Sequence, residues 1–288
     1  MSDVGTLVVF AGAFAGAVVS SFSGFAFAPV AGVFLLMAFS PKVVVPVLMI
    51  CSILVQAATL LNLRRSLEFR SIGAMLAGGA LGVPLALMLF HRIDAQTFQV
   101  AFGLFLVAYA LLMLLRPRTR LEISSDHKTE VAVGFFGGLI GGLTAMPGAV
   151  PVLYCDSRGV SKEAQRATVQ PFILAMQLLA LTLMVATGAV TEKVLSVVTY
   201  ALPALGAGIA VGLALFGRVP EVGFRRAVLF LLLATGGALA ARPNAGAAAD
   251  WSRRFVGYPE VHANDSASFK ARPASQGAFI NPPAGREH

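Results

Sequence analysis

The stretch that decides the fold reads GAVVSSFSGFAFAP, from Gly16 to Pro29, an apolar segment interrupted by Ser and Gly near its middle. A second stretch, GLIGGLTAMPGAVP, begins 122 positions later at Gly138 and ends at Pro151. In both copies Gly and Pro lie thirteen positions apart, and Val follows the Pro. Apolar segments broken at matching places in two halves are typical of transporter binding sites. The alternative is two ordinary membrane helices, in which Gly and Pro are also common.

The composition is that of a polytopic membrane protein. Of 288 residues, 57% are hydrophobic and 12% are charged, and the mean hydropathy is +0.79. Apolar runs long enough to span a membrane recur, with the charges between them. The first run lacks the basic start and small-residue end of a cleaved signal peptide, so we expect it in the mature fold. The net charge of +8 comes mainly from loop cations, so we expect no nucleic-acid partner.

The chain repeats itself beyond the broken stretches. At one offset of 126, the pairs Phe90/Arg92 and Arg116/Pro117 recur as Phe216/Arg218 and Arg242/Pro243. This duplication predicts an all-α polytopic membrane protein, an inverted repeat of two four-element halves. Full spans are expected at residues 43–63, 72–90, 98–115, 167–187, 194–216 and 224–241. We assign 1–117 to transmembrane repeat 1, 118–130 to a cytoplasmic connecting loop, 131–243 to transmembrane repeat 2, and 244–288 to a disordered extracytoplasmic tail.

The cations predict the orientation. If each broken stretch returns to the side it entered from, thirteen Lys and Arg residues near the spans share one face and four share the other. Cytoplasmic loops carry the excess of positive charge. We therefore expect a multi-pass protein of the cytoplasmic (inner) membrane, with both termini extracytoplasmic.

The length of the second broken stretch predicts a hairpin that enters the membrane only to half its depth. Residues 147–155, after the break, would form a helix of about 13 Å, against a hydrocarbon core of roughly 30 Å. Extension to residue 160 would carry Asp156 and Arg158 into the core. We expect the fifth element, and by symmetry the first, to be broken half-depth hairpins.

Ionisable side chains fall in loops, at span ends and in the tail, so only neutral polar groups remain at the span centres. This pattern argues against a carboxylate proton relay, an intramembrane protease and a metal enzyme. We expect no catalytic residue, no cofactor and no metal. Cys51 and Cys155 lie in apolar surroundings without metal-ligand spacing, and we expect buried free thiols.

Neutral groups at the two breaks form the candidate site, and its expected ligand is a small anion. A half-helix that begins at a break presents free N–H groups and a positive dipole end, which favour negative charge. Paired glutamines beside the breaks either face the substrate or join helices, and the hydroxyls either bind it or bond back to their own helices. Arg166 is expected to be exposed at the cytoplasmic mouth, where it would steer anions. The candidate substrate-binding residues are Ser20, Ser21, Ser23, Gly24, Gln56, Thr144, Met146, Pro147, Gly148 and Gln177.

The paired breaks, the charged central loop and the four-plus-four layout resemble the TauE/SafE sulfite exporter family, over about residues 4–242. The resemblance implies eight membrane elements, with hairpins as the first and fifth. It also implies export of small sulfur-containing or organic anions such as sulfite or sulfonates. The first copy, SGFAFA, is bulkier than the glycine-rich pattern of that family.

The leading hypothesis is a secondary transporter that exports such an anion across the lipid bilayer by alternating access. Two alternatives stay open: an anion channel with the same site, and a non-transporting membrane scaffold. The sequence also leaves open whether the protein forms a homodimer.

Overall fold

The described part of the chain is built from α-helices. The structure, a computed structural model, describes residues 3–61, 69–115, 126–215 and 221–241, which form ten helices and no strand. The all-α prediction is therefore confirmed for these residues. The helices are α1 (Asp3–Ser23), α2 (Phe27–Ala38), α3 (Pro41–Leu61), α4 (Phe69–Phe90), α5 (Ala95–Leu115), α6 (His127–Thr144), α7 (Ala149–Ser157), α8 (Lys162–Ala186), α9 (Glu192–Leu215) and α10 (Glu221–Ala240).

Six of the described helices are long and apolar enough to cross a membrane, namely α1, α3, α4, α5, α8 and α9. All but α1 correspond to spans expected from the sequence. The sixth expected span is α10, whose apolar part, Arg226–Ala240, is shorter than the others. The prediction of a multi-pass membrane protein is confirmed.

Each broken stretch consists of a long limb and a short one. Helices α1 and α6 have 21 and 18 residues, whereas α2 and α7 have 12 and 9. At the rise of an α-helix, α1 is about 31 Å long, as long as the roughly 30 Å hydrocarbon core. The half-depth prediction fits the length of the short limbs, whereas α1 is long enough to cross the whole core. It rested on the segment after the second break, whereas the apolar run before the first break continues without interruption.

The two halves pack against each other crosswise. Helix α1 packs against α9, and α6 packs against α4. A Cβ atom on Gly82 would collide with the carbonyl oxygen of Phe135, and one on Gly208 with the carbonyl oxygen of Phe14. These glycines are equivalent at the offset of 126, and the two phenylalanines at an offset of 121. Small residues allow close helix contact in membranes. Both helix pairs are therefore joined by close contact at an equivalent glycine.

Helices α3 and α8 connect the two breaks. Helix α3 packs against α2, helix α8 packs against α7, and α3 and α8 also pack against each other. Side chains on these two helices can therefore reach both breaks.

The connecting loop is shorter than expected at its second end. Helix α6 begins at His127, inside the assigned range 118–130, and Asp126 caps it by accepting a hydrogen bond from the Thr129 N–H. Hydrogen bonds from Thr129 hold the pKa of the Asp126 carboxyl below its ordinary value. Residues 116–125 and the tail, 244–288, lie outside the described residues.

Candidate functional site

The first break joins α1 to α2 and turns at Gly24. Its φ of +89° is a conformation that glycine adopts readily. Its N–H donates to the carbonyl oxygen of Ser20 at 2.7 Å. The amide nitrogen of Gln56, on α3, donates to the Gly24 carbonyl oxygen at 3.1 Å. Gln56 is fully buried, so it satisfies a backbone acceptor that the interrupted helix leaves without its usual partner.

The second break repeats this geometry at Ala145. Its φ is +57°, and its N–H donates to the carbonyl oxygen of Gly141 at 2.8 Å. The amide nitrogen of Gln177, on α8, donates to the Ala145 carbonyl oxygen at 3.2 Å. In both halves the glutamine lies 32 positions after the turning residue that it binds. The structure therefore places both predicted glutamines at the breaks, in equivalent roles.

The two glutamines differ in their remaining contacts. Gln177 also donates to the Ser52 hydroxyl at 2.9 Å, so both hydrogens of its amide are used. Within the described residues, the side chain of Gln56 makes one hydrogen bond, the one to Gly24. The amide oxygens of both glutamines are buried and have no hydrogen-bond partner in the described part of the chain.

The two breaks touch each other. A Cβ atom on Gly148 would lie 3.4 Å from the Cβ of Phe25 and 2.6 Å from the Cδ1 of Ile173 on α8. Ala26 precedes α2 and Gly148 precedes α7, and neither supplies a side-chain cap. The short helices thus begin near each other, as the sequence predicted, with N–H groups that no capping side chain covers.

The four predicted hydroxyl groups fall into two pairs. Ser23 and Thr144 bond back to their own helices, to the carbonyl oxygens of Val19 at 2.8 Å and Ile140 at 2.7 Å. For Ser23 and Thr144, the observed arrangement is therefore the bond back to the same helix, which was the alternative to substrate binding. The hydroxyls of Ser20 and Ser21 are buried, and neither has a hydrogen-bond partner in the described ranges.

Met146 and Pro147 contribute packing at the second break. Met146 is buried, and a Cβ atom on Gly141 would lie 2.5 Å from the Cβ of Pro147. The proline therefore fits against α6 only because position 141 is glycine. Gly148, which was also predicted, lies beside Phe25 of the first break.

Arg166 does not lie at an exposed mouth, so that expectation is wrong. Its side chain is only 8% exposed, and its Nη2 donates to the carbonyl oxygen of Ser21 at 3.1 Å. A Cβ atom on Gly24 would lie 3.3 Å from the Arg166 Nε. Helix α8 is capped by Ser161 and begins at Lys162, which places Arg166 about one turn inside the helix and against the first break. A small recess at this contact is lined by Ser23, Gly24, Phe25, Val152, Gln165, Arg166 and Val169.

Sequence reasoning missed Gln170 and Ser52. Gln170 is fully buried, and its amide nitrogen lies 3.1 Å from where a Cβ on Gly24 would be. Neither polar atom of this amide has a hydrogen-bond partner among the described residues. Positions 166, 170 and 177 share one face of α8, and so do Ser52 and Gln56 on α3. That spacing was the signal that could have identified both residues.

The cysteines are free and buried, as predicted. Within the described residues, no group of three His, Cys, Asp or Glu side chains could hold a metal ion.

A polytopic helical protein whose two halves carry equivalent breaks, each bound by a buried glutamine, has the architecture of a membrane transporter. The chain matches the model of the family described as sulfite exporter TauE/SafE over residues 8–239, and it belongs to that family. The resemblance drawn from the sequence is thereby confirmed, and membership classes the chain with membrane exporters of sulfite and related anions rather than with enzymes. No match was found among curated proteins or solved structures.

Proposed function

We propose that the protein is a secondary transporter that exports a small sulfur-containing or organic anion, of the sulfite or sulfonate type, across the cytoplasmic membrane. The observation that carries the proposal is the pair of equivalent breaks. Gly24 and Ala145 each turn with positive φ, and each is bound by a buried glutamine 32 positions further on. Family membership supports the class of ligand.

The anion would bind where the two breaks meet, beside Phe25 and Gly148. The first N–H groups of α2 and α7 lack side-chain caps, and a helix N-terminus attracts negative charge. The buried hydroxyls of Ser20 and Ser21 would supply further donors. Such groups can replace the hydration shell of a small anion inside a membrane protein, where lipid offers none.

Crosswise packing supports alternating access. Each hairpin is attached to a long helix of the other half, α1 to α9 and α6 to α4. Helices α3 and α8 run between the breaks and contact each other. Rocking of the two hairpin units about the α3–α8 contact would open the site to one side of the membrane and then to the other.

A counterflow experiment in proteoliposomes tests this function. Vesicles preloaded with unlabelled sulfite or methanesulfonate should take up the same anion in labelled form faster than empty vesicles do, because an exchanger must return loaded. A channel would show flux without this stimulation from the opposite side. A scaffold would show no flux above protein-free vesicles, which serve as the control.

We further propose that both termini are extracytoplasmic, because loop cations would otherwise accumulate on the wrong face. Single cysteines should be placed at Ser125 and Ser266 in a variant without Cys51 and Cys155. An impermeant maleimide added to intact cells should label the Ser266→Cys variant and leave Ser125→Cys unlabelled. The reverse pattern, or equal labelling of both, would refute this orientation.

A further inference from the structure

The first break contains buried polar side-chain groups that lack hydrogen-bond partners and that are not needed to satisfy its backbone. Gln170 is fully buried against Gly24, and neither its amide nitrogen nor its amide oxygen has a hydrogen-bond partner among the described residues. A buried amide without partners costs free energy that native proteins avoid unless a ligand or water supplies the missing bonds. The hydroxyls of Ser20 and Ser21 are in the same condition, on the helix that leads into this break.

A cation lies beside these groups. Arg166 is one helical turn before Gln170 on α8, and its Nη2 is bonded to the Ser21 carbonyl oxygen. The Nε of Arg166 and the amide nitrogen of Gln170 both lie within 3.3 Å of the point where a Gly24 Cβ would be. A side chain at position 24 would crowd both groups, so the glycine keeps their approach to the recess open. The recess itself is lined by Gly24 and Arg166.

At the second break, the positions equivalent to Arg166 and Gln170 are apolar. At the offset of 121 that relates the breaks, the counterparts of Arg166 and Gln170 are Val45 and Met49, both buried and apolar. Repeat symmetry therefore does not explain the polar pair, and neither does the turn at Gly24, which Gln56 already binds. The pair is an addition to one half of a duplicated framework.

We propose that Arg166 and Gln170 form a subsite for a singly charged oxoanion such as a sulfonate or hydrogensulfite. This inference rests on the proposed function and names which part of the site reads the ligand's charge. The Arg166 guanidinium matches one negative charge, and the Gln170 amide nitrogen donates to a further oxygen of the anion. A doubly charged anion would bring an uncompensated charge into a buried site, which is strongly unfavourable. Glu163, one turn before Arg166 and exposed, adds negative charge nearby and reinforces that preference.

The test is binding of methanesulfonate and sulfate to the purified full chain by isothermal titration. Methanesulfonate should bind, and sulfate should bind at least about tenfold more weakly, because its second charge has no partner. Arg166→Gln should lower methanesulfonate affinity by about tenfold or more, the usual effect of losing a charged hydrogen bond. Gln170→Met, which copies the residue at the equivalent position, should lower it by a similar factor.

Arg158→Gln is the matched control, since it removes one positive charge from the turn after α7, where the guanidinium lies over the ring of Tyr154. Methanesulfonate affinity should stay at the parent value in this variant. The proposal is overturned if Arg166→Gln and Gln170→Met both bind methanesulfonate as the parent does, or if sulfate binds as tightly as methanesulfonate. Equal losses in Arg158→Gln and Arg166→Gln would also overturn it.

The test also decides the question if a variant does not fold or if the parent protein binds neither anion. If Arg166→Gln does not fold, the Gln170→Met variant and the sulfate comparison on the parent protein still decide the question. If the parent protein binds neither anion and also fails the counterflow experiment, the proposed function is refuted along with the subsite. Anion exchange by a parent protein that binds both anions equally would refute the subsite alone.

Discussion

The first and second breaks share a backbone and differ in side chains. Each turns with positive φ, at Gly24 or Ala145, and each donates its N–H to the carbonyl oxygen four residues earlier. Each carbonyl accepts from a buried glutamine. Around Ala145 the glutamine amide uses both hydrogens on protein acceptors. Around Gly24, the Arg166 guanidinium and the Gln170 amide are packed against the turn, and the Gln170 amide has no hydrogen-bond partner in the described residues.

This difference separates the hydrogen bonds that both breaks require for their backbone from the polar groups that are available to a ligand. The shared hydrogen bonds stabilise an interrupted helix, so both halves must keep them. The second break has most of its polar groups satisfied within the protein, and we infer that it mainly anchors the hairpin. The first break keeps polar groups available, and we infer that it recognises the anion.

The largest difference between the breaks, in both stability and anion binding, is expected when the turning residue of each break is replaced. Gly24→Val should destabilise the protein by about 1–3 kcal/mol, because a branched residue is strained at positive φ, and its side chain would also press on Gln170 and Arg166. It should therefore abolish anion binding as well. Ala145→Gly should be close to neutral, since relief of strain offsets the added freedom of the unfolded chain. Thermal unfolding in detergent, followed by titration with methanesulfonate, measures both effects.

If Ala145→Gly weakened binding as much as Gly24→Val does, the two breaks would be equivalent and the asymmetry would be wrong.

Smaller effects are expected when the two glutamines are replaced, and the variant that loses more stability should lose less anion affinity. Gln177→Leu removes the donor to both Ala145 and Ser52, and a buried acceptor left without a partner costs about 1–3 kcal/mol. It should lower the unfolding temperature more than Gln56→Leu, which removes one such bond. Gln56 has a second amide hydrogen that no described residue uses, so Gln56→Leu should weaken anion binding more.

The check is to measure unfolding temperature and methanesulfonate affinity on both variants. Identical ranking of the two variants in both measurements would mean that stability and binding are not divided between the breaks.

The smallest effect is expected at the cap of α6, the long limb that leads into the second break. Asp126 accepts from the Thr129 N–H, and this contact lowers its pKa below the ordinary 3.8. A carboxyl with a depressed folded pKa stabilises the fold above its unfolded pKa, and the contribution is lost as pH falls through the folded value. Asp126→Ala should therefore lower the unfolding temperature slightly near pH 7, and the deficit should shrink below about pH 4. A deficit that is the same at every pH would show that the charge has no part in the cap.

The sequence predicted the framework well because the features that mark it occur in pairs. Apolar length, paired Gly and Pro positions and a constant offset predicted a helical membrane protein with two breaks, and they predicted Gln56 and Gln177 beside them. Each of these features occurs twice, so each copy supports the other. The family assignment followed from the same features and is confirmed.

The unpaired features were the ones that sequence reasoning misjudged. The sequence predicts an exposed cation at Arg166 because this residue lies just before the span expected at residues 167–187, where charged side chains usually reach water. Contact with α1 buries it instead, and that contact joins residues 145 positions apart. Gln170 has no counterpart in the first half, so symmetry gave no reason to select it. The half-depth prediction for the first hairpin came from the short segment after the second break, and it did not consider that the limb before the first break is long enough to span the core.

Cysteine protection compares the two breaks most directly. Ser23 and Thr144 are equivalent at the offset of 121, and their hydroxyls make the same bond back to their own helices. Ser23→Cys and Thr144→Cys, each in a background without Cys51 and Cys155, should be reacted with N-ethylmaleimide, a neutral reagent, with and without saturating methanesulfonate. We expect the anion to slow labelling at position 23, which lines the recess beside Arg166, and to leave labelling at position 144 unchanged. Equal protection of both positions, or protection of position 144 alone, would contradict the assignment of anion recognition to the first break.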